Sequence, residues 1–490
     1  MDRQCGILLH PTSLPGDATT GGFATGDLGD SAYRFVDWLE ASGAKLWQTL
    51  PLNYPGWGFS PYSALSAFAG NPWLISIDRL VKEGLLNASD IPSRPSAGGS
   101  QARFEAAVAY KEPLLRRAWD NCVTVSPLHD SFEVFCQQHQ HWLDDFAAFM
   151  SLRHVCGDKP WNTWGMPRPK ALSHCYRNLK QEMDYHKFVQ FLFHRQWFAL
   201  REYANRKGIA IVGDIPIYVS YDSADVWSHQ SLFHLDSEGE PTLVAGVPPD
   251  YFSETGQLWG NPIYRWDKMQ KHGFSWWMER VAHLMQLVDW IRIDHFIGFV
   301  RYWAIPAYAE TAAGGEYHQG PGESFFETLT GRFHNVRVMA EDLGVLTPDV
   351  TALKDRFGLP GMKVLHFLFH EPDPLDFPSN TVLYTGTHDN DTTVGWFADI
   401  KQNDPELCEQ VKNKLPGVHP DIVWDMMEYA CGSAARYTIF PMQDILELGS
   451  AARMNVPGQA TGNWGWRLKP GQCTMEHAER VRGMLARHGR

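Results

Sequence analysis

Apolar residues fall along this chain in two alternating periods. Short β-branched runs are each followed by a stretch with an apolar residue every three or four positions, the spacing of one helix face. The first run, CGILL (5–9), closes on the polar and turn residues HPTSLP. SAYRFVDWLEASG (31–43) then reads as a helix with a glycine stop at Gly43. AKLWQTLPL (44–52) gives the second run. The alternation lapses over 54–190, where a Pro, Gly and aromatic loop (54–72) and the polar stretch NASDIPSRPSAGGS (87–100) lead into helical segments rich in Trp and His. It resumes with the helix FHRQWFALREYANRKG (193–208) and the strand IAIVGDIPIYV (209–219). A second lapse, over 223–266, carries Gly, Pro and aromatic residues without clear periodicity. The remaining strands are LVDWIRIDHF (287–296), NVRVMAEDLG (335–344), MKVLHFLF (362–369), NTVLYTGTHD (380–389) and RYTIFPMQDIL (436–446).

Eight strands separated by helices predict an α/β chain closed into a parallel (β/α)8 TIM barrel. We read 1–490 as a single catalytic barrel with two insertions, a largely helical subdomain at 54–190 and an active-site loop region at 223–266. After the eighth strand only 447–490 remain, too few for a β-sandwich of about 100 residues, so none is expected there.

Three strands end on a carboxylate: IRIDH (291–295), MAEDLG (339–344) and TGTHDND (385–391). In a barrel the strand ends share one face, so Asp294, Glu341 and Asp389 are expected to converge in one cleft. Opening an acetal needs a proton on the leaving oxygen and a stabilised oxocarbenium-like carbon, which two carboxyl groups supply if one is protonated and the other ionised. Arg292 lies two residues before Asp294 and shares its strand face, which suits a nucleophile. Glu341 follows the apolar Met339 and Ala340, where desolvation beside other carboxylates suits an acid/base. His388 and Asp389 are placed to hydrogen-bond sugar hydroxyls. Each carboxylate alone reads as readily as a cap or surface group; the three in barrel order favour catalysis.

Composition narrows the classes. A net charge of −13, from 43 basic and 56 acidic residues, argues against a nucleic-acid partner. No run of eighteen apolar residues is present, so no membrane span is expected, and MDRQCGILLHPTSLPG does not read as a signal peptide. Eight scattered cysteines without a C-x-x-C pair read as free thiols in the cytoplasm. His154, Cys156, His174 and Cys175 fit no common zinc spacing and read as ordinary side chains, and the chemistry needs neither metal nor cofactor.

RIDH after a fourth strand, Glu after the fifth and HD after the seventh resemble the α-amylase-type clan of retaining glycosidases and transglycosidases. HPTSLPG (10–16), GFSPYSALSAFAGNP (58–72), GDIPIYV (213–219), VAGVPPDYFSETGQLWGNPIY (244–264), GPG (320–322) and NWGWRL (463–468) narrow the resemblance to amylomaltase, the 4-α-glucanotransferases of glycoside hydrolase family 77. It implies Asp294 as nucleophile, Glu341 as acid/base and Asp389 as transition-state stabiliser, helped by Arg292 and His388. Asp214, Ser60, Tyr62 and Asn463 match family positions that line the donor side or shape the cleft. Tyr251, Gln257 and Trp259, in a Gly-hinged aromatic stretch, are expected to bind substrate and keep water from the glycosyl-enzyme. Trp57 sits in a comparable loop. The implied partners are α-1,4-glucan donors and glucose or maltooligosaccharide acceptors, with neither nucleic acid nor membrane; monomer and homodimer both stay open. An α-1,4-glucan hydrolase of the same clan would share the three carboxylates and is the alternative. Ile297 stands where the family commonly has Arg, with Arg301 nearby, which bears on acceptor preference.

Overall fold

The computed structural model describes residues 3–16, 24–93, 99–125, 128–249 and 254–490, apart from the side chains at 57 and 123–125. Eight parallel strands close into a barrel: Gln4–Leu8, Leu46–Gln48, Ala210–Pro216, Trp290–Asp294, Val338–Ala340, Gly361–Val364, Thr381–Tyr384 and Tyr437–Pro441. We number these barrel strands one to eight. Each lies on one of the eight apolar runs of the sequence, the first and sixth strands starting one residue before theirs, and the first pairs with both the second and the eighth. The strands are almost wholly buried because helices cover their outer face while side chains fill the interior, the condition that makes parallel strands read as continuous apolar runs. Polar groups inside the barrel are paired: the Tyr384 hydroxyl donates to Gln48 Oε1 at 2.7 Å, joining the seventh strand to the second. Gly213 of the third strand is dictated by closeness, since a Cβ there would lie 2.5 Å from Val288 Cγ1.

Between the second and third strands run the helices Ile77–Lys82, Phe104–Val125, His129–Val155, Arg168–Asn178 and Lys180–Arg206. The last is longer than its sequence signal, which began at 193; its first turns, KQEMDYHK, carry no breaker and continue the helix outward. Position 190 lies within it, so insertion and barrel share one rigid element. Trp197 ties that helix inward, packing on Trp47 and donating its indole N–H to the Leu287 carbonyl at 2.8 Å.

The stretch 223–266 is more ordered than its lack of periodicity suggested. Leu243–Val247 and Gln257–Pro262 join Arg301–Pro306 and Glu316–Gln319 in a four-stranded antiparallel sheet. These strands are short, interrupted by Gly246, Gly260 and Pro262, and paired across the fourth barrel strand. No local alternation announces them.

After the eighth strand the chain makes a short helix, Met442–Ile445, and ends in the helix Met475–Arg487, which packs beside the first helix, Asp30–Ser42; the Trp38 indole donates to the Thr474 carbonyl there at 2.8 Å. All eight cysteines are free thiols, and among the described residues no helix is long and apolar enough to cross a membrane.

Candidate active site

At the carboxyl ends of the barrel strands lies a cleft of about 550 Å³ whose walls include Asp294, Glu341 and Asp389. Strand register sets the first of these. Arg292 is paired with Asp214 across the third and fourth strands, and Asp294 stands two positions further along, opposite Pro216. The Arg292 guanidinium, 4% exposed, donates to both oxygens of Asp214 at 2.8 and 2.7 Å and to Asp294 Oδ1 at 3.0 Å. Burial opposes its charge, but Asp214 and Asp294 more than offset this and hold its pKa well above the ordinary arginine value. Tyr62 closes the far side, its hydroxyl donating to Asp214 Oδ2 at 2.6 Å. Asp214 is therefore not a wall of the cleft. It lies beneath, fully covered, and anchors two residues that are walls.

Glu341 is carried to Asp294 by the ladder itself. Its N–H donates to the Ile293 carbonyl at 2.9 Å, and the Phe296 N–H donates to the Glu341 carbonyl at 2.9 Å. Its carboxyl accepts from two backbone N–H groups, His295 on Oε2 at 2.7 Å and Leu343 on Oε1 at 3.0 Å. Burial, reinforced by Asp294, pushes it up to about 7 against the pull of Arg292 and those two donors. A carboxyl titrating there can both give and take a proton near neutrality. His295 reaches it only by adopting φ 54°, a left-handed conformation that costs a non-glycine residue about 1–3 kcal/mol.

Asp389 is half-exposed and held from behind. Asn455 Nδ2 donates to its Oδ1 at 2.6 Å, Arg453 donates to its main-chain carbonyl at 2.6 Å, and His388 Nε2 lies 3.4 Å from its Oδ2. The His388 ring stacks on Tyr62 with centroids 5.2 Å apart and planes within 11°. Below, buried Asp444 accepts from Thr385 at 2.6 Å and from the Thr393 N–H at 3.0 Å, fixing both ends of the loop.

Ser60, Tyr62, Arg292, His388, Gln257 and Trp259 line the cleft with the three carboxylates. The Trp259 indole donates to Gln257 Oε1 at 3.1 Å and meets the His295 ring edge-on at 5.0 Å. Gly256, at φ 67°, makes the turn before them, where a Cβ would sit 2.4 Å from the Val247 carbonyl oxygen. Asn463 does not reach the cleft. Its amide accepts from the Val456 N–H at 2.9 Å and donates to the Gln459 carbonyl at 2.8 Å, folding the loop that presents Trp464 and Asn455. Tyr251 and the Trp57 side chain lie outside the described residues. Tyr218, Asn261, Asn455, Trp464 and the half-exposed Phe367 line the cleft without having been singled out. Trp464 sits within NWGWRL beside Asn463, so the motif marked a loop in which Trp464 lines the cleft and Asn463 shapes it from behind. Asn455 had no signal, because only folding places it beside Asp389.

Ile297 is buried with its Cδ1 beneath Gly344, and Arg301 stacks on Tyr317 at 4.6 Å while donating to the Val345 carbonyl at 3.3 Å. Neither lines the cleft. Among the described residues no group of three or more His, Cys, Asp or Glu is placed to hold a metal ion.

Residues 9–474 match the family model of glycoside hydrolase 77, described as 4-alpha-glucanotransferase. The 4-alpha-glucanotransferase of Synechocystis sp. is 46% identical over 96% of this chain and 95% of the relative. That of Thermus thermophilus is 44% identical over 99% of this chain and 98% of the relative. Among solved structures, the amylomaltase from Streptococcus agalactiae in complex with acarbose superposes with a TM-score of 0.94 at 35% identity, each chain covered completely. The amylomaltase from Corynebacterium glutamicum, at 18% identity, shares the fold with a TM-score of 0.80, covering all of this chain and 75% of that one. The chain thus belongs to the 4-alpha-glucanotransferase family, glycoside hydrolase 77.

Proposed function

We propose that this transglycosylase moves an α-1,4-glucan segment from a donor to the 4-hydroxyl of glucose or another glucan by retaining double displacement, with Asp294, Glu341 and Asp389 as its catalytic groups. Asp294 attacks the anomeric carbon while Glu341 protonates the departing oxygen, leaving a glycosyl-Asp294 ester. The acceptor hydroxyl then gives its proton to Glu341 and displaces Asp294. Asp389 and His388 hold hydroxyls of the distorted sugar, and Arg292 keeps a positive charge 3.0 Å from the nucleophile.

One observation carries this reading: two carboxyl groups of one cleft stand in opposite surroundings. Asp294 is tied to a buried guanidinium, while burial raises Glu341 to about 7. Such a difference in surroundings suits Asp294 to the nucleophile's role and Glu341 to the acid's. Both insertions contribute walls, Ser60 and Tyr62 from the first and Gln257 and Trp259 from the second, which supports reading 1–490 as one catalytic unit. The free cysteines support a reducing compartment, the cytoplasm.

Incubation with maltotriose tests the reaction. Transfer gives glucose and a ladder of longer maltooligosaccharides at constant reducing ends; hydrolysis gives only shorter sugars as reducing ends rise.

A further inference from the structure

His388 lines the cleft through one edge of its ring and is buried at the other. Its Nε2 faces Asp389, and its Nδ1 is shielded from solvent without a partner among the described residues. A neutral imidazole has one donor and one acceptor nitrogen. The carboxylate needs a donor, so the proton belongs on Nε2, and Nδ1 then needs something to donate to it. No group among the described residues does.

A second histidine shares the predicament. His10 follows the first barrel strand, is 5% exposed, and also has a buried Nδ1 without a partner among the described residues. Both rings line one small space of about 20 Å³ between the ends of the first, seventh and eighth strands. A single water needs about 10–15 Å³ and two to four polar partners. Thr387, Asn390 and Gln443 share the wall and can supply the remaining contacts. Burial, with His388 beside it, pushes His10 down to about 3, so it is a neutral ring there.

We propose that His10 is a positioning residue for His388, acting through one buried water that donates to His388 Nδ1 and so keeps the His388 proton on Nε2, toward Asp389 and the substrate. His10 Nδ1 anchors the water and touches no substrate itself. The alternative tautomer would turn a lone pair toward the Asp389 carboxylate and lose the donor that a sugar hydroxyl or Asp389 requires. The inference rests on the proposed role of His388, but two of its three readouts do not involve turnover.

The test combines a high-resolution crystal structure of the full chain, ¹⁵N ring spectra of His388, and maltotriose kinetics for H10L and H10N. The expected structure has a water within hydrogen-bond distance of both Nδ1 atoms. The expected spectrum has His388 protonated on Nε2 in the unmodified protein and in H10N, and in mixed tautomers in H10L. Leaving a buried nitrogen unsatisfied corresponds to roughly a tenfold fall in kcat for H10L with KM little changed. H10N retains a polar atom where Nδ1 stood and is expected to restore kcat to within about threefold of the unmodified value. Absence of that water, an unchanged tautomer in H10L, or an H10N defect as deep as that of H10L would each overturn the proposal. Should H10L fail to fold, the water and the tautomers of the unmodified protein and H10N decide it. Turnover surviving in D294N would instead refute the catalytic assignment and leave water and tautomer standing.

Discussion

Glu341 is where burial and hydrogen bonding oppose each other most directly. Burial and Asp294 hold its proton on, Arg292 and two backbone N–H groups pull it off, and the result is about 7. As the proposed acid of the first step it must be protonated, so kcat/KM is expected to fall with an alkaline limb near pH 7. E341Q should lower kcat by about 10²–10⁴-fold and abolish that limb. The same shift enters stability. Raised above its unfolded value, the carboxyl stabilises the fold fully below that value and loses the contribution as pH rises through about 7. The amide of E341Q must point its NH₂ at one of the two N–H donors, so its absolute stability is not the informative quantity. Its slope is: Tm of E341Q minus Tm of the unmodified protein should increase from about pH 5 to about pH 8. Arg292 is the complementary case. R292M leaves Asp214 buried without its cation and is expected to cost roughly 3–5 kcal/mol in urea unfolding, far more than a surface arginine. The sequence announced these residues because each sits at a strand end in a motif. It could not separate Asp214 and Asn463, which brace the site, from the groups that face the cleft, since that difference is one of burial and partner choice.

Among elements, the Gln257–Pro262 strand stands out because it reaches the cleft from a sheet outside the barrel. It carries Trp259, 38% exposed, against His295, the residue whose N–H holds Glu341. We propose that Trp259 offers sugar a stacking face and covers the reacting groups from water. W259A is expected to raise the ratio of hydrolysis to transfer several-fold, read as reducing ends formed per glucose released from maltotriose, while the fold is retained. A ratio equal to that of the unmodified protein would remove this strand from the exclusion of water. The barrel strands were legible because burial on both faces leaves continuous apolar runs. The outer sheet was not, because its strands are short, broken by glycine and proline, and paired with chain from beyond the fourth barrel strand. A glycine-rich aromatic stretch looked like a loop for the same composition that lets Gly256 and Gly260 adopt positive φ.

Across the whole molecule, the helical insertion and the barrel are joined by an apolar seam that contains three histidines. His139, His194 and His283 come from the helices His129–Val155, Lys180–Arg206 and Ser275–Leu287, with ring centroids 5.2 to 6.0 Å apart. Burial holds all three below the usual histidine range, His139 at about 4, His283 at about 3 and His194 well below that range. Unfolded, they take up protons below about pH 6.5, so their contribution to stability is lost as pH falls from there through their folded values. H194F should move the midpoint of acid unfolding, followed by circular dichroism, to lower pH. In the proposed covalent chemistry Asp294 alone becomes bonded to sugar. The most direct measurement incubates E341Q, slowed in releasing the intermediate, with an activated α-glucosyl fluoride and maps the modified peptide by mass spectrometry. A glucosyl mass on the peptide at Asp294, absent from D294N, is the predicted result; an adduct on another residue, or turnover of maltotriose by D294N, would contradict the account.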